Sequence, residues 1–465
     1  MPVQIYRPRA ALVLTVPLPK GGDWEPYTYT VPVKSGTLTI NDHNQADTLS
    51  VSVDWLDAGV DPRWIAGATC ELYLGDATPP QGGAAEDWQP SDKDLRFVGR
   101  LVKPARKLSG DKLTVDLEFH DYTSFFLAAK PFATVGIPVY TDTLPQAWAR
   151  ICENVPGVEE LADNIRFDIE GETGDTKPWE RTIGECVSPR FRKMGKLQVS
   201  PGTDAWAVWL QAVGAMGLLS YMDKDEVVVT TATDLYSGAA PPRFVYGWNI
   251  ESFSEQRNND FALRAVGLTS FDPLTGKTIE VIADPAKRTL KVSARKRKGG
   301  KRPKVKTDYS QVDFFQYPGV TDKAALQKIA DQIWSVRSLQ AIEGSLTTMD
   351  LTAETTAGGM FDLLSLRSGD TIEVRFLDTQ DVEFVRRFES ASDRAAYLVG
   401  HGYSPEVADI IAANVERQTD RASQFYVRSV ETAFDLTGDG SFKITVNYIN
   451  KIDPSTGEPA PTDDA

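Results

Sequence analysis

Gly344-Ser345-Leu346-Thr347-Thr348-Met349-Asp350-Leu351 lies inside the stretch from Ala325 to Phe376, whose reading decides the fold. Before it, Leu326, Ile329, Ala330, Ile333, Trp334 and Arg337 recur at spacings of three and four, the mark of an amphipathic helix. Thr321 or Asp322 stands where its N-cap belongs. From Gly344 the period drops to two, which predicts a Thr-rich strand. Gly358-Gly359 interrupts the pattern, and Leu366-Arg367-Ser368-Gly369-Asp370 closes a loop. Thr371-Ile372-Glu373-Val374-Arg375-Phe376 then alternates again. Helix, strand, loop and strand in this order read as a helix packed on a small barrel.

A chain of 465 residues is long enough for about two to four domains. With 41% hydrophobic and 25% charged residues it has the balance of a globular protein that buries ordinary cores. No apolar run is long enough for a transmembrane helix, so no membrane insertion is expected. Ala10 to Leu18 follows Arg7 and Arg9, but Pro17 and Pro19 interrupt it, so it reads as a first strand and not a leader.

Little material points to catalysis. Cys70, Cys152 and Cys186 are far apart and odd in number, which fits free thiols in a reducing cytoplasm. His43, His120 and His401 leave little for a zinc site or a nucleophilic triad. No GxxxxGK[ST], GxSxG or HExxH occurs. Asp435, Thr437, Asp439 and Gly440 imitate half of a calcium loop, but Val446 stands where the closing Glu belongs, so a hairpin turn is expected. Acidic residues are numerous, yet nothing singles out a glycosidase pair. No catalytic residue, metal or cofactor is expected.

Charge is unevenly placed. The net is −15, from 50 basic and 65 acidic residues. Residues 286–306 hold eleven Lys/Arg and no acid, so the remainder carries 39 basic against 65 acidic residues, or −26. Within this arm Arg295, Lys296, Arg297, Lys298, Lys301, Arg302 and Lys304 flank Gly299-Gly300 and Pro303. Such a run is either a solvated loop or an electrostatic contact to an acidic subunit or nucleic acid. The acidic body favours a subunit contact.

In chain order, residues 1–130 read as nearly all strand. Leu49, Val51, Val53 and Trp55 alternate with Ser50, Ser52 and Asp54, and Leu113, Val115, Leu117 and Phe119 alternate with polar residues. Residues 131–240 are α+β. Leu144, Ala147, Trp148 and Ile151 form one short helix, and Thr203 or Asp204 caps another that carries Trp206 and Trp209. Residues 241–389 are β again, with a strand at Trp248 to Glu255 and an Asp272-Pro273-Leu274-Thr275-Gly276-Lys277 turn. Residues 390–418 read as an inserted helical hairpin. It is either local cover or a docking element presenting Tyr397, Leu398, Tyr403, Ile410 and Ile411. Closing strands occupy 419–453, and the Pro- and acid-rich tail 454–465 reads as disordered.

Several of these pieces resemble the tail hub (baseplate hub) proteins of bacteriophages. Ala46-Asp47-Thr48-Leu49-Ser50-Val51, Phe97-Val98-Gly99-Arg100-Leu101-Val102 and Leu117-Glu118-Phe119-His120-Asp121-Tyr122-Thr123 match successive strand motifs of that family in order and spacing. Phe425-Tyr426-Val427-Arg428-Ser429-Val430-Glu431 matches its closing strand, except that Thr432 stands at the usual His. The resemblance runs from Thr37 to Tyr448. It implies a mainly β fold with α+β parts, two tail-tube-like β-barrels and a smaller α+β middle domain; the inserted helical hairpin lies outside the resemblance. It also implies a homotrimer whose six barrels form a pseudo-sixfold ring. Such a ring would join the tail tube or distal tail ring to a central spike or tip protein and meet the tape measure protein. DNA would pass without specific binding, along a wall kept non-adhesive by acidic charge. The place would be the virion tail tip, after assembly in the host cytoplasm. Alternatives of other classes are a tail-associated glycan or cell-wall hydrolase, and a receptor-binding or secretion-spike protein sharing the fold.

Overall fold

The computed structural model describes residues 8–450 except 21–22, 43–44, 55–66, 77–87, 110–111, 131–135, 170–176, 187–194, 198, 200–201, 217, 231–239, 247, 258–264, 273–276, 285–289, 293–304, 308–311, 317–322, 339–341, 376–389, 410–411, 413–421 and 438–439. The basic-arm residues named above, Ile410, Ile411 and the tail lie outside the described residues.

The architecture is mainly β with α+β parts. The first β unit holds β1 (Pro8–Lys20), β2 (Asp23–Val31), β3 (Val33–Ile40), β4 (Thr48–Asp54), β5 (Thr69–Asp76), β6 (Leu95–Ser109) and β7 (Lys112–His120). Alternation dictates its packing: Leu49, Val51 and Val53 are buried, and their neighbours face the other side. β1 and β2 form a long antiparallel hairpin in which Pro17 stands opposite Pro26. The sequence reading foresaw β1 but not β2.

The middle unit contains α1 (Thr123–Ala128), α2 (Leu144–Cys152), β8 (Ile165–Asp168), α3 (Ala205–Ala215), β9 (Leu219–Asp223) and β10 (Glu226–Thr230). Asp204 caps α3 by accepting the Ala207 N–H at 2.7 Å. Phe126, Trp148, Trp206 and Trp209 form its core. Trp148 packs 5.1 Å from Trp209 between ring centroids, and each indole N–H finds an acceptor, Leu161 O at 2.7 Å and Ser220 Oγ at 2.9 Å.

The second β unit comprises β11 (Arg243–Val245), β12 (Ser252–Arg257), β13 (Ala265–Asp272), β14 (Lys277–Ala283), β15 (Leu290–Val292), β16 (Val305–Thr307), β17 (Val312–Gln316), α4 (Lys323–Ser338), β18 (Ile342–Thr348), β19 (Thr352–Glu354), β20 (Met360–Asp362), β21 (Thr371–Arg375), α5 (Ala391–Gly400), β22 (Ala422–Asp435) and β23 (Ser441–Asn450). The strand read from Trp248 begins only at Ser252, because Trp248 and Asn249 form a turn. Gly358, with φ 84°, makes the turn between β19 and β20, a conformation that costs other residues a steric penalty.

The two β units are not separate. β22 pairs antiparallel with β3, from Val430 opposite Ile40 to Asp435 opposite Ser35. This makes one sheet in the order β12-β18-β23-β22-β3-β4-β7-β6-β5-β1-β2, with β11 and β21 attached. One continuous apolar cluster runs beneath it, from Leu12, Leu72 and Phe119 to Phe244, Leu346, Ile372 and Tyr448. Its other face is polar. Lys443, Ala433, Thr37, Ser50, Glu118 and Lys103 stand in one cross-strand row, with Thr445, Glu431, Thr39, Thr48 and His120 in the next.

α4 packs elsewhere than the sequence implied. Leu326 and Ala330 are buried against Val266, Leu268, Val281 and Ala283 of the separate β14-β13-β17 sheet. Its apolar face was read correctly, but its partner is this smaller sheet and not the strands that follow it. Among the described residues, no helix is long and apolar enough to cross a membrane.

Candidate functional site

The loop from Arg367 to Asp370 brings the three units to one point. Asp370 Oδ2 accepts the Arg367 N–H at 2.8 Å, which closes the turn. Gly369 donates to the Val427 carbonyl and the Val427 N–H donates to the Asp370 carbonyl, both at 2.8 Å. Gly369 has φ 92°, so the turn favours a residue without a Cβ. Thus anchored on β22, the loop directs Arg367 to the middle unit, where its guanidinium pairs with Asp223 at the end of β9. Arg166 also binds Asp223, at 2.8 Å.

The first β unit contributes two acids. Asp47 Oδ1 accepts the Asn41 N–H at 2.7 Å, and Asn41 Nδ2 donates to Ala46 O at 2.6 Å, so the β3–β4 loop is closed on itself. The Asp121 N–H donates to Asp47 O at 3.0 Å. Thr123 Oγ1 donates to Asp121 Oδ2 at 2.8 Å, while Asp121 Oδ1 is buried without a hydrogen-bond partner. Asp47, Asp121, Thr123, Tyr221, Asp223 and Arg367 line one cavity of about 40 Å³.

Desolvation governs the electrostatics here. Burial, with the neighbouring Asp121 carboxylate second, holds Asp47 well above the ordinary carboxylate range. Burial pushes Asp121 up to about 7, against the Thr123 hydroxyl and nearby backbone N–H dipoles. Burial raises Asp370 to about 6, against the Arg367 N–H and guanidinium. For Arg367 burial works against the charge, but Asp223 outweighs it and the pKa is raised. Among the described residues, no group of three or more His, Cys, Asp or Glu could hold a metal ion.

Further polar ties surround the cavity. Arg96 of the first unit binds Asp362 of the second at 2.5 Å. Arg100 binds Glu160 of the middle unit at 3.1 Å and lies over the Phe125 ring at 4.9 Å.

Of the residues singled out from the sequence, the described ones, Tyr397, Leu398 and Tyr403, do not line this cavity. Within the basic arm and at its end, β15 and β16 form a short antiparallel ladder from Leu290 opposite Thr307 to Val292 opposite Val305. In the helical insertion, Tyr397 and Leu398 are half-buried and Tyr403 is 47% exposed. Ser404 Oγ accepts the Val407 N–H at 3.4 Å, and Ala395, Ala408 and Ala412 with Leu398 form a small core of their own. Asp435 Oδ1 accepts from both the N–H and the hydroxyl of Thr437, as expected of a hairpin turn. The junction residues Asp47, Asp121 and Asp370 were quoted as motif positions, but not as a site. The available signal was that each of these Asp residues adjoins a strand end, before Thr48 of β4, after His120 of β7 and before Thr371 of β21.

No family model and no curated protein matches the sequence. Solved structures do match it. The tail protein from Neisseria meningitidis MC58 aligns over 95% of this chain and 97% of its own, with TM-score 0.53 and 13% identity. The 43 kDa tail protein of prophage MuSo2 from Shewanella oneidensis aligns over 94% and 98%, with TM-score 0.49 and 10% identity. Prophage tail protein gp18 from Listeria monocytogenes EGD-e aligns over 94% of both chains, with TM-score 0.43 and 8% identity. The chain therefore shares the fold of the Neisseria tail protein along nearly its whole length.

Proposed function

We propose that the protein is the structural hub of a phage, or phage-like, tail tip or baseplate. Three copies form a ring in which each chain supplies two β units, 1–130 and 241–453, around the middle unit 131–240. Threefold symmetry with doubled β units lets a sixfold tube or distal tail ring meet a threefold spike or tip. The tape measure protein ends at this ring, and DNA passes through it without specific binding. Assembly takes place in the host cytoplasm, and the finished position is the virion tail tip. The hub acts by packing and hydrogen bonding, without turnover.

The observation that carries this reading is the nearly end-to-end correspondence with a tail protein, 95% of this chain and 97% of that one. The β3–β22 seam supports it, because it makes two β units one rigid element. We assign the polar face of the large sheet to the DNA path. Two of its lysines are paired, Lys103 with Glu118 at 3.7 Å and Lys107 with Asp116 at 2.5 Å. Hydroxyls and neutralised pairs give phosphates little to hold, which complements the acidic excess of the body. The basic arm reaches an acidic neighbouring subunit, and the hairpin at 390–418 serves as a docking element.

Immunogold labelling of intact particles with an antibody to this chain tests the assignment. Label confined to one end of the tail is expected. Label along the tube, or none on particles, would overturn it.

A further inference from the structure

The strongest feature outside the hub reading is the half-buried acid cluster at the junction. From the β3–β4 loop it receives Asp42 and Asp47, from just after β7 Asp121, from the start of α1 Thr123, from β9 and its turn Tyr221, Asp223 and Lys224, and from the Arg367–Asp370 loop Arg367. Asp370 closes that loop from behind. Arg96 from β6 also faces it, already paired with Asp362. Arg367 is engaged by Asp223, and although its charge also reaches Asp47, neither Asp47 nor Asp121 has a salt bridge among the described residues.

Two carboxylates with restricted access to water repel each other and lose hydration when both are ionised. Three remedies exist: a metal ion, a cationic side chain or a proton. No metal-holding group of three exists among the described residues, and the guanidinium is spoken for. The remaining remedy also resolves a second oddity. Asp121 Oδ1 is buried, its residue 4% exposed, and it has no hydrogen-bond partner. A protonated carboxyl is a donor, and one proton held between the two acids supplies the bond this oxygen lacks.

We propose that a proton shared by Asp47 and Asp121 latches the first β unit to the middle and second units, and that its loss in mildly alkaline solution loosens the junction. The segments that respond are the Asn41–Asp47 loop, the start of α1 and the Arg367–Asp370 turn. The inference does not depend on the hub reading. It concerns a single chain and stands or falls in the isolated protein.

The direction follows from linkage. A carboxyl whose proton is held more tightly in the folded state stabilises that state below the unfolded pKa, and this contribution is lost as pH rises through the folded value, about 7 for Asp121. The test is hydrogen exchange of the intact wild-type chain at about pH 5.5 and about pH 8.5, corrected for intrinsic exchange. Protection of the Asn41 and Asp121 amides should fall at least about tenfold relative to Val228 in β10. Equal protection at both pH values would overturn the latch. Asp121→Asn keeps an acceptor for Thr123 but does not titrate, so it should abolish the pH response. A variant that folds and retains the wild-type response would overturn the proposal. If the variant does not fold, the wild-type comparison decides alone. Addition of calcium chloride at about pH 8.5 is the last arm. Restored wild-type protection would mean that a cation, not a proton, is the natural occupant, and would also overturn it.

Discussion

The Asp121 N–H donates to the Asp47 carbonyl at 3.0 Å, so the start of α1 is tied to the β3–β4 loop. That bond places two acids beside the Arg367–Asp223 ion pair, which joins the other two units. The three units therefore meet through a small polar cluster as well as through the β3–β22 seam.

Stability should decline as pH rises through the range about 5 to 8. Asp121, near 7, and Asp370, near 6, both hold their protons more tightly folded than unfolded, so their stabilising effect is present in acid and fades toward alkali. Thermal unfolding across pH checks this. Asp370→Asn keeps an acceptor for the Arg367 N–H and should flatten the curve around 6. A curve that rises with pH would contradict the electrostatic account.

Replacing Arg367 with Met should cost about 1–3 kcal/mol in urea unfolding, less than the full penalty of breaking a deeply buried pair, because Arg367 is one-third exposed. Arg367→Lys keeps the charge but loses the planar fork and should fall between the two. No change in either variant would show that the pair is incidental.

Gly36 lies on the seam opposite Phe434. A Cβ there would sit 2.5 Å from the Phe434 ring and 2.7 Å from the Ser50 carbonyl. Gly36→Ala should therefore destabilise by about 1–3 kcal/mol, through overpacking. Wild-type stability would mean that β3 and β22 can part without consequence.

Replacing Lys296, Arg297, Lys298 and Lys301 with Ser should weaken assembly at low salt and reduce its salt sensitivity. Sedimentation at two ionic strengths reads this. Unchanged assembly would leave the arm a solvated loop.

Much of the fold was legible because it is local. Alternation at Leu49, Val51 and Val53, the Asp204 cap before the Trp helix and the Asp272–Lys277 hairpin each follow from a few neighbouring residues. β2 escaped notice because Pro26 argues against a strand, yet the ladder beside β1 tolerates it. The partner of α4 was invisible for another reason: periodicity gives the apolar face of a helix but not what covers it. The junction depends on longer connections still. Arg367 and Asp223 are 144 positions apart, and Val430 meets Ile40 across almost the whole chain. Only strand register brings such residues together, and no local pattern encodes it.

The central claim is a threefold ring, and the mass of the purified protein in solution tests it most directly. Light scattering should give a species of three 51.2 kDa chains, about 154 kDa. A species that remains at one chain at every concentration, including after mixing with the distal tail ring of its own particle, would contradict the account.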